Sequence, residues 1–186
     1  MGRRADEKDL RLIGLVAARD VEAFEELYRA YFPRLARFLF NLLNRPQLVE
    51  EVLDDTLLTV WERAHTFQGA SKLSTWIFTI AYRKALKARR SRDEPLSDEE
   101  MESRVSTDAS PEEEWRRHKV HAMLMDALRE LSPEHRAVVD LTYFHELGYR
   151  EIAAIMECPI DTVKTRMFYA RRHLRKHLQG ELADWL

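Results

Sequence analysis

Cysteine is almost missing from this chain. Cys158 stands alone among 186 residues, so neither an internal disulfide nor a cysteine-built zinc site can form. Glycine and proline are also scarce, at five and six, and strand-type alternation is nearly absent. Both facts favour helices. No apolar run reaches the roughly 18–20 residues of a membrane span, and the opening MGRRADEKDL has no apolar signal core. The expectation is a soluble cytoplasmic protein without membrane insertion. No phosphate-binding glycine loop, activated-serine motif or HExxH occurs. An enzyme is not expected, nor any catalytic residue or cofactor.

What the chain does have is uneven charge. Residues 1–92 carry a net +5, residues 93–114 a net −9, and residues 115–186 a net +2. The acidic stretch DEPLSDEEMESRVSTDASPEEE holds two prolines and few large apolar groups. It cannot bury enough surface to offset its ordering entropy, and it reads as a flexible linker. Two small all-α domains are expected on either side, over 10–92 and 115–180.

Apolar spacings of three and four place helices along both blocks. Phe24, Leu27, Tyr28, Tyr31, Leu35, Phe38 and Leu42 form one stripe, which Pro33 is expected to divide or kink. A second stripe runs from Leu48 to Ala64. After the loop FQGASKL (67–73), Ser74 or Thr75 is the expected cap of a helix reaching about Arg90, with Trp76, Ile77, Ile80 and Ala81 inward. The second block predicts helices at about 115–130, 133–145, 149–156 and 161–178.

The sharpest signal lies in ECPIDTVKTRMFYARRHLRK (157–176). A short apolar helix is broken at Glu157-Cys158-Pro159, and Asp161 or Thr162 can cap the next. On that next helix Val163, Met167, Ala170, Leu174 and Leu178 fall on one face. Thr165, Phe168, Tyr169, Arg172, Arg175 and Lys176 lie opposite, with Lys164 and Arg171 beside them. Short helix, tight turn, then a helix apolar inside and basic outside is the pattern of a helix–turn–helix that enters a DNA major groove. A merely solvated cationic face explains Arg175 and Lys176, because the helix dipole favours bases there. It explains Lys164 and Arg166, near the positive end, less well.

Other groupings point the same way. Arg83, Lys84, Lys87, Arg89, Arg90 and Arg92 gather in YRKALKARRSR without an acid, and Phe67, Trp76, Phe78 and Tyr82 lie just upstream. Cations among aromatics suit single-stranded nucleic acid; the alternative is that Trp76 and Phe78 are simply core, the favoured reading for Trp76, while for Tyr82 the two readings stand even. Glu50, Glu51, Asp54 and Asp55 form two like-charge i,i+4 pairs, an acidic face suited to a basic partner or simply solvated. Thr56 and Thr59 beside them are possible phosphorylation positions. The pairs His173/His177 and His118/His121 lack a third ligand at suitable spacing, so no metal is expected. The acidic linker either folds back to screen both basic helices or acts only as a spacer.

Taken in order, AFEELYRAYFPRLARFLF, LVEEVLDDTLLTVWERAHTFQGASKLSTWIFTIAYRKA, the acidic linker and LSPEHRAVVDLTYFHELGYREIAAIMECPIDTVKTRMFYARRHLRK resemble a bacterial extracytoplasmic-function (group IV) RNA polymerase sigma factor. The resemblance spans most of 20–180 and implies sigma region 2 at about 21–92 and region 4 at about 120–178. It implies partners: the β and β′ subunits of bacterial core RNA polymerase, and promoter DNA, double- and single-stranded. An anti-sigma factor or regulatory kinase is a further possible partner. By resemblance, Glu50, Glu51, Asp54 and Asp55, supported by Trp61, dock on a β′ coiled coil. Phe67, Gln68, Ser71 and Lys72 would take a flipped base of the −10 element, and Trp76, Tyr82, Arg83, Lys87 and Arg90 would hold the melted strand. Asp161, Thr162, Lys164, Thr165, Arg166, Phe168, Tyr169, Arg171 and Arg172 would read the −35 element. The alternative is a helix–turn–helix regulator that works without polymerase, normally as a symmetric dimer.

Overall fold

The computed structural model describes residues 2–91 and 123–182, all helix or connecting turn with no strand among them. The acidic segment 93–114, and with it the screening expectation, lies outside the described residues, as do Arg92, His118 and His121. Four α-helices come first: α1 (Gly2–Ala17), α2 (Val21–Leu43), α3 (Pro46–Arg63) and α4 (Leu73–Ser91), with one 3-10 turn at Ala64–Thr66. A second group follows: α5 (described over 123–129), α6 (Pro133–Tyr143), α7 (Tyr149–Ile155) and α8 (Ile160–Leu182).

Local chemistry sets these boundaries. The Asp20 side chain accepts from the Ala23 amide at 3.0 Å and starts α2. Asn44, in the left-handed conformation, ends it by donating its N–H to the Phe40 carbonyl at 2.8 Å. Pro46 then opens α3, where a missing N–H costs nothing. Ser132 caps α6 through the His135 amide, with Pro133 in the first turn.

Three sequence expectations are corrected here. α2 runs unbroken through Pro33, because both flanking halves bury the same stripe (Leu27, Tyr31, Leu35, Phe38) and tertiary packing outweighs one lost hydrogen bond. α4 starts at Leu73, with the Lys72 carbonyl accepting from Trp76, so Ser74 and Thr75 are buried first-turn residues rather than caps. α8 likewise starts at Ile160, and the Pro159 carbonyl accepts from Thr162 and Val163, which leaves Asp161 inside the first turn.

The two helical groups pack against each other and share one continuous apolar core. α2 lies along α6, and α4 along α7. At the centre of this contact is a buried polar cluster. Asn41 Nδ2 donates to Asp140 Oδ1 at 2.7 Å, and Arg37 reaches the same oxygen at 3.6 Å. His145 Nε2 lies 3.0 Å from Asp140 Oδ2, with both side chains only 2 % exposed. The imidazole packs on Phe78, 4.6 Å between ring centroids, and Phe78 meets Phe38 edge-on at 5.2 Å. The Arg37 guanidinium covers the Phe144 ring at 3.4 Å. Beside them, Arg136 gathers the carbonyls of Leu128, Leu131 and Asn41 at 2.8, 3.1 and 3.1 Å. The Asn41 and Leu128 carbonyls lie in the last turns of their helices, where acceptors outnumber the donors within the helix, and Leu131 lies in the connection that follows α5.

Candidate nucleic-acid interface

The helix–turn–helix is built from α7 and α8. A Schellman turn closes α7: Glu157 takes φ 51°, and the Cys158 amide reaches back to the Ala153 carbonyl at 3.1 Å. Glycine is the usual occupant of that position, because a side chain there is strained. On α8 Val163, Met167 and Ala170 are fully buried, as the spacing predicts, and Leu174 is half-buried. The side chain of Leu178 lies outside the described residues. Phe168 and Tyr169 are 62 % and 52 % exposed, large apolar surfaces that packing alone leaves unexplained. Lys164, Thr165, Arg171 and Arg172 are exposed around them, with Thr162 and Arg166 half-buried. Lys164 pairs with Asp161 at 2.9 Å, Arg166 donates to Cys158 Sγ at 3.7 Å, and Arg171 donates to the Tyr143 hydroxyl at 3.1 Å.

In the first group of helices, Glu50, Glu51, Asp54 and Asp55 form one exposed face of α3. Asp55 pairs with Lys84 of α4 at 2.6 Å. Trp61 packs on Phe24 at 5.0 Å and lies under the Arg19 guanidinium, so it braces α3. Thr56 is fully buried and donates to the Val52 carbonyl at 2.6 Å. A kinase cannot reach Thr56 in the folded protein, contrary to the expectation of a modification position there; Thr59 is half-buried.

The 67–73 loop exposes Gln68, Ser71 and Lys72, while Phe67 packs tilted against Trp76, 5.4 Å between ring centroids. Gly69 turns the loop at φ 71°, and a Cβ there would also meet Leu10 at 3.4 Å. Between the loop and α1 opens a cavity of about 300 Å³, lined by Asp9, Leu10 and residues 69–73. Of the two aromatics offered as core, Phe78 is fully buried and Trp76 only partly so, packed at the edge of the core. Tyr82 is buried beneath the second group, and that burial, outweighing nearby Arg166, pushes its hydroxyl pKa up.

Arg83 and Lys87 are exposed on α4, as is Arg90. Three of the cations here are held by acids of the second group: Arg83 Nε donates to Glu157 at 2.8 Å, Lys72 pairs with Glu151 at 3.1 Å, and Arg89 is the third. Arg89 pairs with Glu134 at 3.3 Å. Burial alone would raise the Glu134 carboxyl, but its own backbone N–H and Arg89 outweigh it and hold it below the ordinary 4.5.

Residues 27–94 match the model of Sigma-70 region 2 and residues 121–174 that of Sigma-70 region 4. The ECF RNA polymerase sigma factor RpoE of Cereibacter sphaeroides is 30% identical over 161 residues, 86% of this chain and 88% of the relative. The chain belongs to the ECF RNA polymerase sigma factors. The RNA polymerase sigma-H factor of Pseudomonas aeruginosa is 27% identical, over 96% of this chain and 97% of its own. Among solved structures, CnrH in complex with the cytosolic domain of CnrY shares the fold at a TM-score of 0.66 and 21% identity, over 93% of this chain and 98% of that one. The sigma factor RpoE with the anti-sigma factor NepR from Bartonella quintana gives 0.65 and 24%, over 85% and 98%. Members of this family are transcription initiation factors of RNA polymerase, not catalysts. No described helix is long and apolar enough to cross a membrane.

Proposed function

We propose that this sigma factor directs core polymerase to promoters by reading the −35 element with α8 and the melted −10 element with the 67–73 loop and α4. The observation that carries the −35 reading is the pair Phe168 and Tyr169, held out from a rigid, buried stripe among Lys164, Arg171 and Arg172. Apolar groups can meet thymine methyls while the cations meet phosphates. For the −10 element, the cavity beside Gly69 has room for one extruded base, and the loop's flanking residues include the aromatic pair Phe67 and Trp76. The acidic face of α3, with Glu51 and Asp55 at its centre, is the surface we assign to a basic coiled coil of the β′ subunit.

On this reading the chain must open before it works. Arg83 and Lys72, though exposed, are paired with acids of the second helical group, and Tyr82 is buried beneath it, so full use of the strand-holding surface competes with the region 2–region 4 contact. An anti-sigma factor is the partner class we propose for the closed form, on the likeness to the NepR complex.

The test is run-off transcription with purified core polymerase, wild type against Glu51→Lys with Asp55→Lys. Loss of core binding and of transcript, with unchanged helical signal, is the expected result. Retained pull-down on core polymerase at moderate salt would overturn the docking face.

A further inference from the structure

The recognition helix continues past its DNA-facing half, and its next turns carry a second constellation. His173 and His177 stand one turn apart on α8 with ring centroids 4.5 Å apart. Both face Glu130, at the end of α5. Nε2 of His177 lies 2.6 Å from Glu130 Oε2, and Nε2 of His173 lies 3.4 Å from the same oxygen. One ligand atom from each residue falls within 4.8 Å of the others. His173 Nε2 is buried yet makes no hydrogen bond, so a polar atom aimed at the carboxylate is left unsatisfied.

We propose that Glu130, His173 and His177 bind a divalent transition ion of the zinc class and so staple the second half of α8 to α5. The chemistry of the donors selects the class. Two imidazoles and one carboxylate suit zinc, nickel or cobalt, whereas magnesium and calcium demand oxygen shells. Geometry fits as well, since tetrahedral zinc with bonds near 2.0–2.1 Å spaces its ligands about 3.3 Å apart. The two nitrogen–oxygen separations here bracket that value, and small side-chain rotations reconcile them. Access is open: the Glu130 side chain is 54 % exposed, leaving solvent for a fourth position. The sequence shows only an i,i+4 histidine pair; the third ligand arrives through the packing of α5 beside α8.

Opposing this is the surrounding charge. Arg172, Arg175 and Lys176 line the same hollow with Glu130 and His173, and they repel a dication. The affinity is therefore on the order of micromolar, far weaker than a four-ligand folding site.

Calorimetry of the full-length protein with zinc chloride tests the site directly. One equivalent should bind, and zinc at a hundredfold excess over Kd should raise the melting temperature by about 5 °C or more, while magnesium does neither. His173→Gln with His177→Gln, both partly exposed, should weaken binding on the order of a hundredfold without unfolding the protein. In the unmodified protein, zinc should shift the Nε2 resonances of these two histidines in a long-range nitrogen spectrum. Absence of binding at millimolar zinc would overturn the site. So would unchanged affinity in the double variant, or zinc-induced shifts confined to other histidines.

Discussion

Asn41 in α2 donates its side-chain N–H to Asp140 in α6 across 2.7 Å. That single bond spans the two functional halves of the sigma factor and anchors a cluster in which Arg37 and His145 also face Asp140. Among the described residues Asn41 is the one hydrogen-bond donor to this deeply buried carboxylate, with Arg37 and His145 standing close by.

Asp140→Ala should therefore destabilise the closed form by about 1–3 kcal/mol, the cost of leaving buried partners unmatched. Asp140→Asn, which still accepts from Asn41, should lose less. Urea denaturation measures the difference, and small-angle scattering should show a larger radius of gyration for the alanine variant. Equal scattering curves would mean that apolar contacts alone hold the halves together.

Glu157 offers a cleaner probe, because its backbone and its side chain pull in opposite directions. Glycine is preferred at φ 51° by up to about 1 kcal/mol, whereas an exposed ion pair such as Glu157–Arg83 contributes at most about as much. Glu157→Gly should leave thermal stability unchanged or slightly raised, yet free Arg83. The expected readout is tighter binding to single-stranded DNA at low salt, and weaker affinity than wild type would contradict it.

Thr56 and Thr59 should separate sharply. Thr56→Glu forces a charge into a fully buried position and removes the bond to Val52, so a loss exceeding about 3 kcal/mol is expected. Thr59→Glu, half-buried, should cost about 1 kcal/mol or less. Thermal melts of both variants decide the matter.

His135 carries a pH prediction. Burial, and then the positive charge of Arg166, hold its pKa below the ordinary 6.5. The unfolded chain thus binds a proton that the folded chain resists, and stability falls as pH drops through 6.5 towards the lowered folded pKa. Above 6.5 the full contribution is present. His135→Gln should flatten that part of a stability–pH profile, read from denaturation midpoints between pH 5 and 7.5.

The helices and the buried face of α8 were legible because each repeats a spacing that the chain itself displays. Val163, Met167 and Ala170 needed nothing beyond 3.6-residue periodicity. Phe78 meets the core as allowed for, whereas Trp76 is only partly inward, because how far each residue of one helix turns inward depends on the rotation of α4. Caps at Ser74 and Asp161 failed by a residue or two, since backbone carbonyls of Lys72 and Pro159 already open those helices. The Asn41–Asp140 bond was invisible because its members stand 99 positions apart. A hint existed in the run Ala137-Val138-Val139-Asp140-Leu141, where a lone acid interrupts core residues. Glu130 escaped for the same reason, as a distant ligand leaves no local pattern.

The carboxylates of Glu151 and Glu157 sit on the very cations that the non-template strand would need. On the proposed reading, region 4 would be an internal competitor for DNA, and the apparent dissociation constant would exceed the intrinsic one by the reciprocal of the open fraction. Any partner that holds the halves apart restores the intrinsic value. Linkage then makes the effect mutual: promoter DNA must tighten that partner's grip by the same factor. If the proposed roles hold, commitment to a promoter and commitment to polymerase would be one thermodynamic step.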